Sequence, residues 1–450
     1  MKRQNEIHLR NWYQRKRRKP LVLRGARQVG KSTLVRQVAK DLGLQLHEIN
    51  LERQLQLEPV FSSLDMDAIR MEIEAVLKQP LSETKGLLFL DEIQATPSAL
   101  QALRYFYEEM PNLRVMAAGS LLEFTLSDHS FSMPVGRIEY HHLGPMDFRE
   151  FLTAVDPGLI HYLDEIQFDK PLPGTAHRNL LGRYRQFLFV GGMPEAVQTF
   201  VETGSLESVS LIHRSIIDTY DDDFAKYARR GDLVLLQRLF RQIPRQVGKK
   251  MKYVNYSREH RARDIRQALH LLLKARTCTE IPASHCTGVP LEAEVHETVS
   301  KLLFLDVGLM NHVCGMDWLA LQALDDRTLV NEGAVAEQAI GQHLAYREGG
   351  LSKPSLVYWL REGRSNNAEV DYVLSHGPDV FPVEVKAGKQ GTLRSLQQFI
   401  QQKECRAAVR FDLNPPSLLS VNTPIAYDLL SLPLYAATEL KRLLDHYRRH

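Results

Sequence analysis

KPLVLRGARQVGKSTLVRQVAKDLG, residues 19–43, contains three successive patterns. The apolar run at 21–23 favours a short β-strand, and a loop with two glycines follows it. Apolar residues then recur at helical spacing, at positions 34, 35, 38 and 39. The stretch therefore predicts a strand, a loop and a helix in succession, at the start of an α/β domain.

The loop in this stretch matches the pattern GxxxxGK[ST]. Glycines in this pattern let backbone N–H groups wrap a phosphate, and the positive end of the next helix adds to the same anion site. We expect Lys31 to reach the β and γ phosphates of ATP and Ser32 to bind Mg²⁺. A chance match is the alternative, and the flanking strand and helix argue against it. The predicted nucleotide-binding residues are Gly25, Ala26, Arg27, Gln28, Val29, Gly30, Lys31, Ser32 and Thr33.

Two further strand patterns end in polar residues. The run KGLLFLDEIQ, residues 85–94, predicts a buried parallel strand that ends in two acids. If this strand lies beside the loop strand, Asp91 would hold Mg²⁺ and Glu92 would orient and deprotonate the attacking water. A solvated acidic pair is the alternative. The strand pattern at 113–120 ends in Ser120, which could sense the γ phosphate or simply complete a Gly-Ser turn.

Five motifs carry a family resemblance: GARQVGKST, LLFLDEIQ, AAGSLLEF, GRIEYHHLGPMDFREFL and FVGGMPEAV. In this order, over residues 20 to about 200, they resemble a prokaryotic family of AAA-type P-loop ATPases. The resemblance implies an open parallel sheet with helices on both faces and a helical lid. It also implies that Arg137 stabilises charge on the nucleotide, in cis or across a subunit interface. Pairing of Arg137 with a surface acid is the alternative.

The middle of the chain is strongly basic. Residues 226–276 hold fifteen lysines and arginines against three acids, an excess of twelve positive charges, while the whole chain carries +3. The segment contains two helical apolar stripes, and β-favouring runs follow at 277–281 and 302–307. This order resembles a winged helix-turn-helix. Four basic residues on outward faces are expected to neutralise phosphates of nucleic acid. The alternatives are a solvated face or docking of the acidic stretch 218–223. These four residues are Arg261, Arg263, Arg266 and Lys274.

The C-terminal part contains a second acidic pattern. The runs 369–374 and 380–386 predict neighbouring strands, with Glu384 and Lys386 on one face and Asp371 entering it from the next strand. Such a set could bind Mg²⁺ and position a hydroxide for phosphodiester cleavage. Over residues 331–410 the sequence resembles the PD-(D/E)XK nucleases. Glu337 matches the helix acid that often accompanies this motif, and Val370 stands where these nucleases usually have a proline. A salt-bridged pair on an exposed strand face is the alternative.

Composition sets the broad limits. A length of 450 residues suggests about three domains, each able to bury a core of its own. Four scattered cysteines fit a reducing compartment, and Cys278, His285 and Cys286 lack the CxxC half-site of structural zinc. Neither a signal peptide nor an apolar run of membrane-spanning length is found, so no membrane partner and a cytoplasmic location are expected.

Together these patterns predict an α/β multidomain protein with five parts. These are an AAA-type P-loop ATPase core at 1–155, a helical lid at 156–215, a winged-helix-like basic module at 216–315, a restriction-endonuclease-like domain at 316–430 and a basic helical tail at 431–450. The predicted function is ATP hydrolysis coupled to binding or processing of nucleic acid, DNA first, with assembly into a homo-oligomer left open. The alternative is an ATP-controlled switch or adaptor that binds protein partners and has a silent C-terminal domain.

Overall fold

A computed structural model gives the structure of the chain. It describes residues 1–119, 122, 136–226, 232–316, 333–362, 367–386, 393–422 and 425–449. Within these residues, no helix combines the length and the apolar character needed to cross a bilayer. All four cysteines are free thiols.

The N-terminal part is built on a five-stranded, fully parallel sheet with the order β2–β3–β4–β1–β5. Its central strands are buried on both faces, as their continuous apolar runs predict. The strands are β1 (Leu21–Arg24), β2 (Gln45–Asn50), β3 (Gly86–Asp91), β4 (Val115–Ala118) and β5 (Glu139–His142). The helices are α1 (Glu6–Gln14), α2 (Lys31–Asp41), α3 (Glu58–Ser63), α4 (Met66–Leu77) and α5 (Pro97–Glu109).

One expectation about this sheet is wrong. The strand that ends in Asp91 is not beside the loop strand, because β4 lies between β3 and β1. The two strands still end at the same edge of the sheet, since all neighbours are parallel. Helix α2, which follows the loop, brings its first residues back to Asp91.

Helices fill the next part of the chain. An aromatic cluster packs α6 against α8, with Phe148, Phe151, Tyr184 and Phe187 in edge or tilted contacts. The last of these helices continues nine residues beyond the predicted lid boundary at 215. The helices are α6 (Phe148–Val155), α7 (Ile160–Asp164), α8 (Gly174–Val190), α9 (Pro194–Thr203) and α10 (Leu206–Phe224).

In the described residues, the middle segment contains three helices and a β-hairpin. The predicted apolar stripes on α11 and α12 are buried. The second β-favouring run ends earlier than expected, because Asp306 caps a helix that begins at Val307. The elements are α11 (Leu233–Gln242), α12 (Ala262–Lys274), β6 (Cys278–Ser284), β7 (Val295–Phe304) and α13 (Val307–Val313).

The hairpin continues into the C-terminal sheet. The eight strands have the order β12–β13–β11–β10–β9–β8–β6–β7. Strands β8, β9 and β10 form an antiparallel meander, and β11 returns parallel to β10 after a helix. The elements are α14 (Gly333–Ala345), β8 (Val357–Arg361), β9 (Ala368–His376), β10 (Asp379–Val385), α15 (Arg394–Lys403), β11 (Ala407–Asp412), β12 (Ser417–Val421), β13 (Tyr427–Pro433) and α16 (Leu440–Tyr447).

These parts of the chain share one main apolar core, where the length suggested about three separate cores. A single cluster of packed side chains extends from Leu9 in the ATPase part to Leu444 in the last helix. One smaller apolar cluster covers the outer face of the N-terminal sheet, and another covers the outer face of the C-terminal sheet. Burying apolar faces between the parts removes more surface from water than three isolated domains would.

Asp306 connects three of these parts through buried hydrogen bonds. Its carboxylate accepts the N–H groups of Gly308 and Leu309 at the start of α13. It also accepts the N–H of Gly192 at 2.7 Å and Nε2 of Gln342 at 3.2 Å. One fully buried side chain thus joins the GGMPEA motif to the middle segment and to α14.

Candidate functional site

The phosphate loop joins β1 to α2, and its two motif glycines are required by geometry. Gly30 has φ +91°, a left-handed backbone that favours glycine. A Cβ on Gly25 would lie 2.2 Å from the carbonyl oxygen of Leu143. The loop therefore has the backbone approach and the helix start that the motif predicts.

Lys31 is buried in the loop. Its ammonium donates to the carbonyl oxygens of Gly25 at 3.0 Å and Ala26 at 2.7 Å. Burial lowers the pKa of Lys31 to about 8, against the opposing effect of Glu92 and Asp91. A phosphate near this ammonium would favour its charged form.

Ser32 meets Asp91 at the edge of the sheet. The Ser32 hydroxyl lies 3.0 Å and 2.8 Å from the two carboxylate oxygens. Burial is the main cause that raises the pKa of Asp91. A hydroxyl and a carboxylate are the hard oxygen ligands that Mg²⁺ takes, so these two side chains fit its binding beside a nucleotide. Thr33, the last predicted binding residue, lies exposed on the first turn of α2.

The backbone of Glu92 has an unusual conformation. It has φ +52° and ψ +44°, a left-handed conformation for a non-glycine residue. Gln94 donates to Glu92 Oε2 at 2.6 Å, and a Cβ on Gly119 would come within 2.3 Å of Gln94 Oε1. Gln94 therefore orients the carboxylate, a role that sequence reasoning missed although LDEIQ contains it. Ser120 lies outside the described residues.

Arg137 pairs with a surface acid. Its Nε lies 2.7 Å from Glu108 Oε1, and its side chain is 43 % exposed. The structure therefore contains the surface pair named as the alternative. A role of Arg137 across a subunit interface stays a prediction.

Residues far from the motif in sequence hold the loop in place. Arg3 donates to the carbonyl oxygen of Val29 at 2.9 Å, and Tyr220 on α10 donates to that of Arg27 at 2.8 Å. The Arg27 guanidinium also pairs with Asp223 at 2.9 Å. No local motif marks these contacts, which connect the loop to the N-terminal segment and to α10.

Three of the predicted nucleic-acid residues, Arg261, Arg263 and Arg266, are exposed around the start of α12. Lys274 is half-buried at the other end, where it lines a cleft of about 440 Å³ with Arg276. The alternative is also realised in part, because Arg241 on α11 pairs with Asp221 of the acidic stretch. Arg261, Arg263 and Arg266 therefore form an exposed basic group at the start of α12.

The C-terminal acids converge as predicted, but on a buried face. Asp371 accepts the N–H of Val385 at 2.7 Å, and Lys386 pairs with Glu384, which is 5 % exposed. Helix α14 brings Glu337 to the same place, where burial is the main cause that raises its pKa to about 7. The exposed strand face assumed in the alternative is thus absent from this described region, although the Glu384–Lys386 pair itself is present.

Lys301 is the residue of this cluster that sequence reasoning missed. Its ammonium lies 2.9 Å from Glu337 Oε1 and also pairs with Glu369. Glu384 Oε2, by contrast, is buried and has no hydrogen-bond partner among the residues that the structure describes. In the same residues, no three His, Cys, Asp or Glu side chains form a ready metal site. A cation would therefore rely on Asp371 and Glu384, with other oxygens completing its shell.

Family models match three separate parts of the chain. An AAA domain matches residues 17–152. Domains of unknown function match residues 181–320 (DUF8612) and 332–418 (DUF4143). No curated protein matches the chain. With the parallel sheet and the phosphate loop, the first match supports an AAA-type P-loop ATPase in the N-terminal region, and it suggests binding and hydrolysis of ATP.

Proposed function

Starting from an N-terminal AAA domain, we propose that this chain hydrolyses ATP and couples its nucleotide state to nucleic acid, DNA first. The contact of Ser32 with Asp91, next to Glu92, carries the hydrolytic part. Ser32 and Asp91 would hold Mg²⁺, which when bound supplies positive charge to the phosphates. Lys31 binds the phosphates, and Glu92 takes the proton of the attacking water.

A chain of contacts supports coupling to the middle segment. The P-loop residue Arg27 contacts Tyr220 and Asp223 on α10. Between these two residues on α10, Asp221 pairs with Arg241 on α11, which packs against α12. A nucleotide that shifts Arg27 would therefore act on the two helices that carry the basic charge. This route consists of packed and paired side chains. Measuring the ATPase rate with and without nucleic acid tests it.

Charge reversal on α12 is expected to weaken nucleic-acid binding. The triple variant Arg261→Glu/Arg263→Glu/Arg266→Glu loses phosphate contacts. A plot of log affinity against log salt concentration should therefore become less steep, its slope smaller in magnitude by about three. Duplexes of different sequence should be affected alike, because phosphate contacts carry no sequence information. Fluorescence anisotropy with labelled DNA at 50–300 mM salt measures this slope.

The matched control reverses three exposed charges elsewhere, in Lys40→Glu/Lys170→Glu/Arg178→Glu. It makes the same change in net charge, so equal weakening by both variants would contradict a site on α12. ATPase rates with and without DNA or RNA complete the test. Indifference of both rate and affinity to nucleic acid would favour the adaptor function.

A second activity, Mg²⁺-dependent cleavage of phosphodiesters, is favoured by the unpartnered Glu384 Oε2. The order helix, antiparallel meander, helix, parallel strand in α14–β11 supports a nuclease-like fold for this part. Asp371 and Glu384 would hold Mg²⁺, which when bound supplies charge to the attacked phosphate. The Lys386 ammonium would orient the water that attacks phosphorus as the ester P–O bond breaks.

Removing this ammonium is expected to abolish cleavage. Lys386→Ala should lower the rate of Mg²⁺-dependent DNA cleavage by roughly 100-fold or more, the usual size of a positioned catalytic group. The ATPase rate should stay unchanged, because Lys386 lies outside the nucleotide site. Gel assays of end-labelled DNA measure the first rate and phosphate release the second. Lys441→Ala, which removes an exposed lysine paired with Glu348, is the control, and equal cleavage by both variants would refute the role.

A further inference from the structure

Lys301 is a buried part of the C-terminal acidic cluster. Its side chain is 2 % exposed and pairs with both Glu337 and Glu369. The ammonium also lies 4.9 Å from the centre of the Tyr358 ring, a cation–π contact. Withdrawing a buried ammonium from two carboxylates would leave them uncompensated, so the arrangement holds Lys301 in place.

The cluster contains more negative groups than positive ones. In the described residues it contains four carboxylates and two ammonium groups, which leave two negative charges when all are ionised. One divalent cation balances them, whereas two would leave a buried excess of two positive charges. Uncompensated buried charge is costly in either sign. The six groups are Glu337, Glu369, Asp371, Glu384, Lys301 and Lys386.

The carboxylate oxygens also divide into two sets. Glu337 Oε1 and Glu369 face Lys301, and a Cβ on Gly248 would lie 2.6 Å from Glu337 Oε2. On the other side, Asp371 Oδ2 accepts a backbone N–H and Glu384 Oε1 pairs with Lys386. Glu384 Oε2 has no hydrogen-bond partner among the described residues, so Glu384 and the neighbouring Asp371 are left for a cation.

We infer that the Lys301 ammonium fills one of two cation positions in this cluster, so that the cluster binds one divalent cation, at Asp371 and Glu384. The inference rests on the cation site of the proposed cleavage activity. Lys301 belongs to β7, and the middle segment thereby completes the C-terminal site and sets its cation number.

Calorimetric titration with Mn²⁺ tests this number. The full chain is used without nucleotide and with Asp91→Asn, which silences the cation ligand of the phosphate loop. The expected result is one bound Mn²⁺, lost on Glu384→Gln. Lys301→Met should bind two, because it frees Glu337 and Glu369, and Lys301→Arg should still bind one. An unchanged count in Lys301→Met overturns the inference.

A second variant covers the case in which Lys301→Met does not fold. Glu369→Gln keeps Lys301 paired with Glu337 and should leave the single Mn²⁺ in place with less than a threefold change in affinity. Loss of Mn²⁺ in Glu369→Gln, as in Glu384→Gln, would make Glu369 a cation ligand and refute the assignment.

The two proposals fail separately. One bound Mn²⁺, rising to two in Lys301→Met, together with no cleavage of any nucleic acid, ends the proposed cleavage and supports the role of Lys301. Cleavage that needs Lys386, together with two Mn²⁺ in the parent chain, supports the activity and overturns the role of Lys301.

Discussion

Glu92→Gln is expected to lower the rate of ATP hydrolysis by roughly 100-fold or more while ATP stays bound. The amide keeps the size of the side chain but has no basicity, so it cannot take a proton from the attacking water. Lys31, Ser32 and Asp91, which are proposed to bind the phosphates and Mg²⁺, are unchanged. Phosphate release measures the rate, and titration with a fluorescent ATP analogue measures the affinity.

Glu72→Gln is the matched control for this change. Glu72 is an exposed acid on α4 of the same sheet domain, and its neutralisation should leave the rate within about twofold, as for a surface substitution. Hydrolysis by Glu92→Gln at the parental rate would refute the base assignment. Loss of ATP binding in the same variant would instead give Glu92 a structural role in the loop.

Asp306→Ala is expected to destabilise the chain by about 3–5 kcal/mol, the range for a disrupted buried hydrogen-bond network. The substitution leaves the N–H groups of Gly192, Gly308 and Leu309, and Nε2 of Gln342, without their acceptor. Unmet buried donors are costly because water cannot replace the lost partner. Urea denaturation followed by circular dichroism measures the change.

A helix cap without such connections separates the two contributions. Asp65 accepts two N–H groups at the start of α4 in an exposed position, so Asp65→Ala should cost only about 1 kcal/mol. The difference between the variants reports the buried connections of Asp306 to Gly192 and Gln342. Equal costs would mean that Asp306 acts as a helix cap alone.

The nucleotide site was the most predictable part. The spacing of Gly25, Gly30 and Lys31 is local, and the strand and helix on either side follow from apolar periodicity. The strand order was not predictable, because β4 enters the sheet between β3 and β1 through pairing that local patterns do not encode. The contacts of Arg3 and Tyr220 with the loop escaped for the same reason.

The sequence indicated the members of the acidic C-terminal set and left their surroundings open. Alternation along a strand places Glu384 and Lys386 on one side but does not say whether that side faces solvent. The structure buries it and adds Lys301, which lies 36 residues before Glu337 in the chain. A lone lysine in a strand carries no motif, so only the packed sheet reveals its partners.

By itself, the sequence determined the phosphate loop, the acids at the strand ends and the concentration of positive charge, because each depends on the order of neighbouring residues. Tertiary structure decided which charges are used internally, as in Arg241 with Asp221 and Lys301 with Glu337. It also merged the predicted parts around one main core. The reason is that burial and ion pairing depend on distances in space, which chain separation does not fix.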